Sequence, residues 1–529
     1  MHGFIVGWRV CCALVLSLVS PFALAGEYYY TLDSQGSNPS AIHYPSADAA
    51  CHVAYDAAAS RPANPDRILQ PYASPTLQGE IPPNIQIFMC SIVWTGADGN
   101  GFYNESRFVY RNGDDCTASE SFNPQTGKCE SPDAEQDRKE LGDPTSAANV
   151  GFVSCGDPVN PANGNVYESE VDYADAAGTL RFERSYNSNG QFGGWSTTLD
   201  TRVVVDGDPS FRGAVVVFQD GRSALFTNKN GVLTADGGEF GSLQKTASGW
   251  VYRSPADDVM TFDAGGTLTR WDFPGGKFIT VATTTTPPFD QSQVVTDDMG
   301  RSFVYNSSLA LPKSLVVGDL TISYSVDSMR RLTGITKVRG GWSSSRSYLY
   351  EDTRFPTKLT GIVDERGIRV STWSYDASGR AISATEADGS GRFSFAYNSD
   401  GSTTVTNPLG HPVGYHFGIV QGAKRITAIQ GEPVAGCPAA NSTFAYTANA
   451  KLASRTDAVG HTTTFSYDTQ GRETSRTEAK GTSAERTIST TWDGTSFRPK
   501  TVTTPDRQTT YSYDAQGRLL STTLHSVKD

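Results

Sequence analysis

A phenol, a carboxylate and a guanidinium recur around a glycine at fixed spacing. "WSYDASGR" contains Tyr375, Asp376, Gly379 and Arg380. "FSYDTQGR" repeats the set as Tyr467, Asp468, Gly471 and Arg472, and "YSYDAQGR" as Tyr513, Asp514, Gly517 and Arg518. Such side chains could move protons. A catalytic group, however, is not needed at every corner of a repeat. The spacing is instead a turn prescription: Asp accepts from the turn backbone, two residues follow in the type I conformation, and Gly takes the left-handed position. Tyr suits a half-buried pleated surface and can stack on a neighbour. Arg can pair with the Asp or with a carboxylate across the strand.

Other chemistry is sparse. There is no Walker loop, GxSxG elbow or HExxH, so we expect no enzyme, and no cofactor or metal either. His411 and His416, at i and i+5, face opposite sides of a strand and do not make a joint metal site. "GADGNG" at 96–101 lacks the alternating acidic ligands of a calcium loop. Trp195 reads as a core aromatic.

Cysteines carry the remaining chemistry. Positions 1–25 read as a secretory signal, with Arg9 before an apolar run and small residues at Ala23 and Ala25. Cleavage after Ala25 removes Cys11 and Cys12. It leaves Cys51, Cys90, Cys116, Cys129, Cys155 and Cys437, an even number in an exported chain. Cys116 and Cys129 flank a short loop around a turn and form the first expected disulfide. Cys51–Cys90 would staple the same region, and Cys155–Cys437 follows by elimination. No CxxC spacing supports zinc.

These residues must be held by strands. The 52 glycines among 529 residues mean frequent turns, and the net charge of −12 argues against a nucleic-acid partner. The pattern [D/E/N]-x-x-G begins at Asp364, Asp376, Glu386, Asn398 and Asn407, in steps of 12, 10, 12 and 9. Strand-like runs lie between, so a period of about 22 residues is two strands and two turns. No apolar run of helical period exceeds two turns outside the signal. We expect an all-β chain: an antiparallel hairpin meander forming an open, spiralling sheet. The divisions are a signal at 1–25, a cysteine-stapled module at 26–130, mostly loops with a few strands, and a charged linker at 131–150. A β-rich domain at 151–288 and the repeats at 289–529 follow, separated by a Thr/Pro break.

The motifs "YDASGR", "YDTQGR", "YDAQGRL", the degenerate "YNSDGS" and the phrase "TDAVGHTTTFSYDTQGR" resemble bacterial RHS-repeat (YD-repeat) proteins. "CGDPVNPANGNVYESEVDY", "LRFERSYNSNG" and "GGW", over roughly residues 152–230, resemble the β domain of unassigned function (DUF6531-like) that precedes such repeats in exported polymorphic toxins. The resemblance implies a sheet spiralling into a shell around a toxic C-terminal domain. It also implies work in bacterial competition or host interaction. The shell-closing Asp-Pro-x-Gly-Leu motif of that family is missing, so a truncated scaffold without its own toxin is expected.

The expected function is therefore an exported, non-enzymatic scaffold, secreted, periplasmic or on the cell surface, with no membrane span once the signal is cleaved. Its partner would be a protein, either toxin cargo or a continuing RHS fragment. The alternative is a cell-surface adhesin or glycan-binding repeat protein using exposed Tyr and Trp.

Overall fold

A computed structural model describes residues 29–32, 44, 47–61, 66–81, 85–97, 102–112, 116, 120–126, 128–143, 159–190, 194–205, 212–287, 290–389, 391–431 and 441–527. The signal, Cys155 and Cys437 lie outside these residues. Among the described residues no helix is long and apolar enough to cross a membrane.

The N-terminal module corrects one expectation. It contains a 13-residue helix, Ala47–Ala59. Its buried residues Ala47, Ala50, Cys51, Ala54, Tyr55 and Ala58 follow the helical period over three turns. The stripe escapes a search for large apolar residues because it is mostly alanine. Small side chains let the helix lie close to Tyr30, Phe88 and Val109 of a four-stranded sheet. That sheet runs in the order Tyr29–Leu32, Arg107–Asn112, Ile85–Cys90, Thr76–Ile81. Cys51 is bonded to Cys90, joining helix to strand with Cα atoms 5.3 Å apart. Cys116–Cys129 closes the shorter loop. By chain entropy these crosslinks contribute about 4 and about 3 kcal/mol.

The next region, 159–235, folds as a three-stranded and a four-stranded antiparallel sheet. Every residue of the strand Gly213–Val217 is buried, so both of its faces are covered. Then a single antiparallel sheet of 26 strands runs from Ser242–Lys245 to Leu519–Ser526, each strand paired with its sequence neighbours. It continues unbroken through the Thr/Pro stretch, where Phe278–Thr286 pairs with Asp290–Asp297.

Within the sheet, alternation separates two faces. Trp373 and Tyr375 are buried and Ser374 between them is exposed. The outward rows are largely Ser and Thr, whose hydroxyls meet across strands at Thr477–Thr487 (2.9 Å) and Thr491–Thr501 (2.6 Å). Such rows solvate the outer face while keeping β-branched stiffness.

The sheet is not closed, but it returns to its own rim. The turn between its second and third strands holds Asp257, which accepts the Phe497 N–H at 2.9 Å from the turn between the twenty-third and twenty-fourth. A Cβ at Gly276, between the fourth and fifth strands, would sit 3.3 Å from Gln516, between the twenty-fifth and twenty-sixth. Both contacts join points 21 strands apart, so one circuit takes 21 strands.

Candidate functional site: repeat turns, buried charge and an open face

The repeat turns share one geometry. Asp376 Oδ1 accepts the backbone N–H groups of Ser378 (2.8 Å) and Arg380 (3.0 Å). Its Oδ2 accepts the Arg380 Nε–H at 2.8 Å. Gly379 has φ of 77° and donates to the Asp376 carbonyl. The left-handed glycine adds one residue to the loop and shifts the register, so that Tyr375 faces Ala381. Asp468 and Asp514 repeat every bond, with Gly471 and Gly517 at φ of 73° and 80°. The N–H of Arg518 and its guanidinium hold the Asp514 carboxyl below the usual carboxylate range. At Asp376 burial opposes the shift, but Arg380 still holds the pKa low. The acid and base at these corners are therefore engaged in holding the turn.

The tyrosines do something that the motif alone hides. Each phenol donates to the carbonyl at the start of the preceding strand: Tyr375 to Leu359 (2.6 Å), Tyr467 to Leu452 (2.9 Å), Tyr513 to Pro499 (2.9 Å). The guanidinium or ammonium that ends one turn then covers the ring that opens the next. Arg380 lies 4.1 Å over Tyr397. Arg498 lies 5.6 Å over Tyr513, and Lys451 lies 5.8 Å over Tyr467. The full relay runs from Asp376: it fixes Arg380, Arg380 covers Tyr397, and Tyr397 donates to the Ala381 carbonyl at 2.5 Å. The offsets of 16, 15 and 14 positions between these tyrosines and their carbonyls make sense only with the strand register in hand.

A second cluster lies under the first part of the sheet. Arg184, 1% exposed, donates to Asp172 (2.6 Å), Glu170 (2.7 Å) and the Tyr348 hydroxyl (2.9 Å). Tyr324 donates to Asp172 at 2.7 Å, and Arg346 reaches Glu170 at 3.0 Å. Burial works against the Arg184 charge, but Asp172 outweighs it and the pKa stands well above the ordinary value. Nearby, Trp195 is partly buried and donates to Tyr350 at 3.0 Å. Lys358 donates to the Ser188 carbonyl at 2.7 Å, and burial lowers its pKa to about 8. These bonds fasten region 159–235 onto one face of the sheet. With Phe182 against Phe303 and Tyr305, they merge the two into one core that reaches Ile429.

Beyond residue 441 the same face carries Phe444, Phe465, Tyr467, Trp492, Tyr511 and Tyr513, all half-buried. Phe444 packs on the edge of the core; the strands after it join no buried cluster among the described residues. The outermost described strand, Leu519–Ser526, is exposed throughout, with Leu524 62% exposed. Among the described residues no group of three or more metal-ligating side chains comes together.

The RHS Repeat family model matches residues 446–483 and 491–526, the strands of this open face. The model of a domain of unknown function, DUF6531, matches residues 156–226, the region docked under the sheet. The chain thus carries RHS repeats and a DUF6531 domain. No curated protein matches the RHS chain. Among solved structures, the crystal structure of TcdB2-TccC3-Cdc42 is similar at 13% identity and a TM-score of 0.29, over 66% of this chain and 19% of that one. The TcdB2-TccC3 structure gives 12% and 0.29, over 84% and 23%. The Photorhabdus luminescens Tc holotoxin pore gives 11% and 0.30, over 85% and 29%. This RHS chain thus spans less than a third of the length of those chains.

Proposed function

We propose that the chain is an exported, non-enzymatic scaffold in a toxin-associated RHS assembly, whose open face over residues 442–526 displays or partly wraps another polypeptide. One observation carries this reading. The same sheet face is filled by the chain's own DUF6531 region up to Ile429 and is lined by half-buried aromatics, without cover among the described residues, afterwards. Half-buried rings on a regular sheet suit an extended or folded polypeptide: they offer apolar area, and strand edges offer backbone hydrogen bonds. The two disulfides support an oxidising, exported setting. The toxin association rests on the RHS Repeat and DUF6531 matches together, the pairing that resembles exported polymorphic toxins.

The test places a photo-crosslinking residue at Phe465 in the full chain, with a second chain carrying it at the outward Ser466 as control. Crosslinking to one defined polypeptide from position 465 only, lost on Trp492→Asp, is the expected result. Labelling equal at both positions overturns the reading. Retention on surface glycans, lost with the same aromatic substitutions, would favour the adhesin instead.

A further inference from the structure

Residues 131–142 do more than connect. The segment lies where the run-in to the first strand of the long sheet meets the hairpin tip 421–424. Gln136 N–H donates to the Gly422 carbonyl (2.7 Å), and Gly422 N–H donates to the Pro132 carbonyl (2.8 Å). Lys139 Nζ bridges the Gln421 carbonyl (2.6 Å), the Gly237 carbonyl (3.0 Å) and the Asp236 carboxylate (2.7 Å). Arg138, also buried, donates to Asp236 and to the Ser223 carbonyl. One short stretch therefore holds three parts together: the DUF6531 sheet, the run-in to the first repeat strand, and the hairpin tip 421–424.

Glu140 closes this junction. It is 1% exposed; its Oε1 accepts the Lys424 N–H at 2.6 Å, and its Oε2, also buried, has no partner among the described residues. The charged groups facing it are Glu135 and Asp137 on its own segment, and Lys424 and Arg425 on the hairpin, with Arg222 and Tyr446 beyond Arg425. The Lys424 ammonium is directed elsewhere, to Glu135 (2.9 Å) and the Ala162 carbonyl (3.1 Å). An ionised Glu140 would bury a negative oxygen with no donor beside two further carboxylates, which is costly.

We propose that residues 131–142 are a pH-operated clasp, which holds the hairpin 421–424 shut while Glu140 is a neutral acid and loosens as Glu140 ionises. Burial raises this carboxyl from 4.5 to about 8. The sign follows from linkage. A folded-state value above the open-state one means that the clasp is tightest below pH 4.5 and weakens as pH rises towards about 8.

Hydrogen exchange on the full chain tests this at pH 5.5 and 7.5, corrected for intrinsic rates. Opening at the Gly422 and Lys424 amides is expected to increase by up to about 100-fold, the ceiling for one coupled proton over two pH units. Gly367 N–H, which donates to the Asp364 carbonyl in a turn with open space around it, stays constant. Glu140→Gln removes the step; Lys139→Met raises opening at both pH values and keeps the step. An unchanged wild-type amide, a step surviving in Glu140→Gln, or full protection in Lys139→Met each overturns the clasp. If Glu140→Gln does not fold, the wild-type pair of measurements decides alone.

Discussion

The strands before residue 431 and those after 441 are built alike and packed differently. Asp376 and Asp514 make the same turn with the same bonds. Yet Trp373 and Tyr375 are 2% exposed, while Trp492 and Tyr513 are half-buried. Local turn chemistry makes a hairpin in either place. Burial comes from what lies against the face, and the first part has the DUF6531 region against it. Hairpin identity and hairpin stability therefore have separate sources in this chain.

The difference can be broken most severely at its cause. Arg184→Ala leaves the buried Asp172 without its cation, while Glu170 keeps Arg346, and a loss of about 3–5 kcal/mol is expected in urea unfolding. The exchange of strands 369–431 should then approach that of strands 442–526. Trp373→Ala should cost about 3–5 kcal/mol as a core truncation, and Trp492→Ala no more than about half of that. Equal losses by thermal unfolding would mean that the later face is covered after all. Removing one oxygen sharpens the contrast. Tyr375→Phe strands the buried Leu359 carbonyl and should cost about 1–2 kcal/mol, whereas at Tyr513→Phe water can reach Pro499 and the cost should be about 0.5 kcal/mol. The smallest effect is acid. The turn carboxyls Asp457 and Asp514 titrate below 3.8, held there first by the N–H groups of His461 and Arg518. Their contribution is present above 3.8 and is lost as pH falls through the lowered value. Nuclear magnetic resonance titration should place both midpoints below 3.8; a midpoint at or above it would mean that the turn bonds are absent in solution.

Much of this architecture is local and hence visible in the residues. Asp, Gly and Arg make a turn within five positions, so the meander and its period can be read directly. The pairing of Cys116 with Cys129 follows from a short loop between them. Features that depend on distant partners are hidden. Arg184 looks like any strand arginine until its guanidinium is seen donating to the hydroxyl of Tyr348, 164 positions further along the chain. Tyr324 closes the same cluster from another strand through Asp172. "FSFAY" before residue 431 and "TFAY" after it carry the same alternation, so no pattern in them separates a covered face from an open one. The helix Ala47–Ala59 escapes notice because alanine marks a face only weakly, although its spacing is regular.

The sequential order of the 26 strands also dictates how the sheet yields to force. Each strand shares its backbone ladder with its chain neighbours, so once the rim contacts at Asp257–Phe497 and Gly276–Gln516 give, tension on the C-terminal end opens the ladder one strand after another, as a zipper does, instead of shearing many together. Each repeat of two strands and two turns would release roughly 75 Å of extended chain. Rupture should be easy and regular over the open strands, then stiffen where the DUF6531 region grips the sheet. A pull on that end would thus let the chain out in even steps and halt at the anchored half.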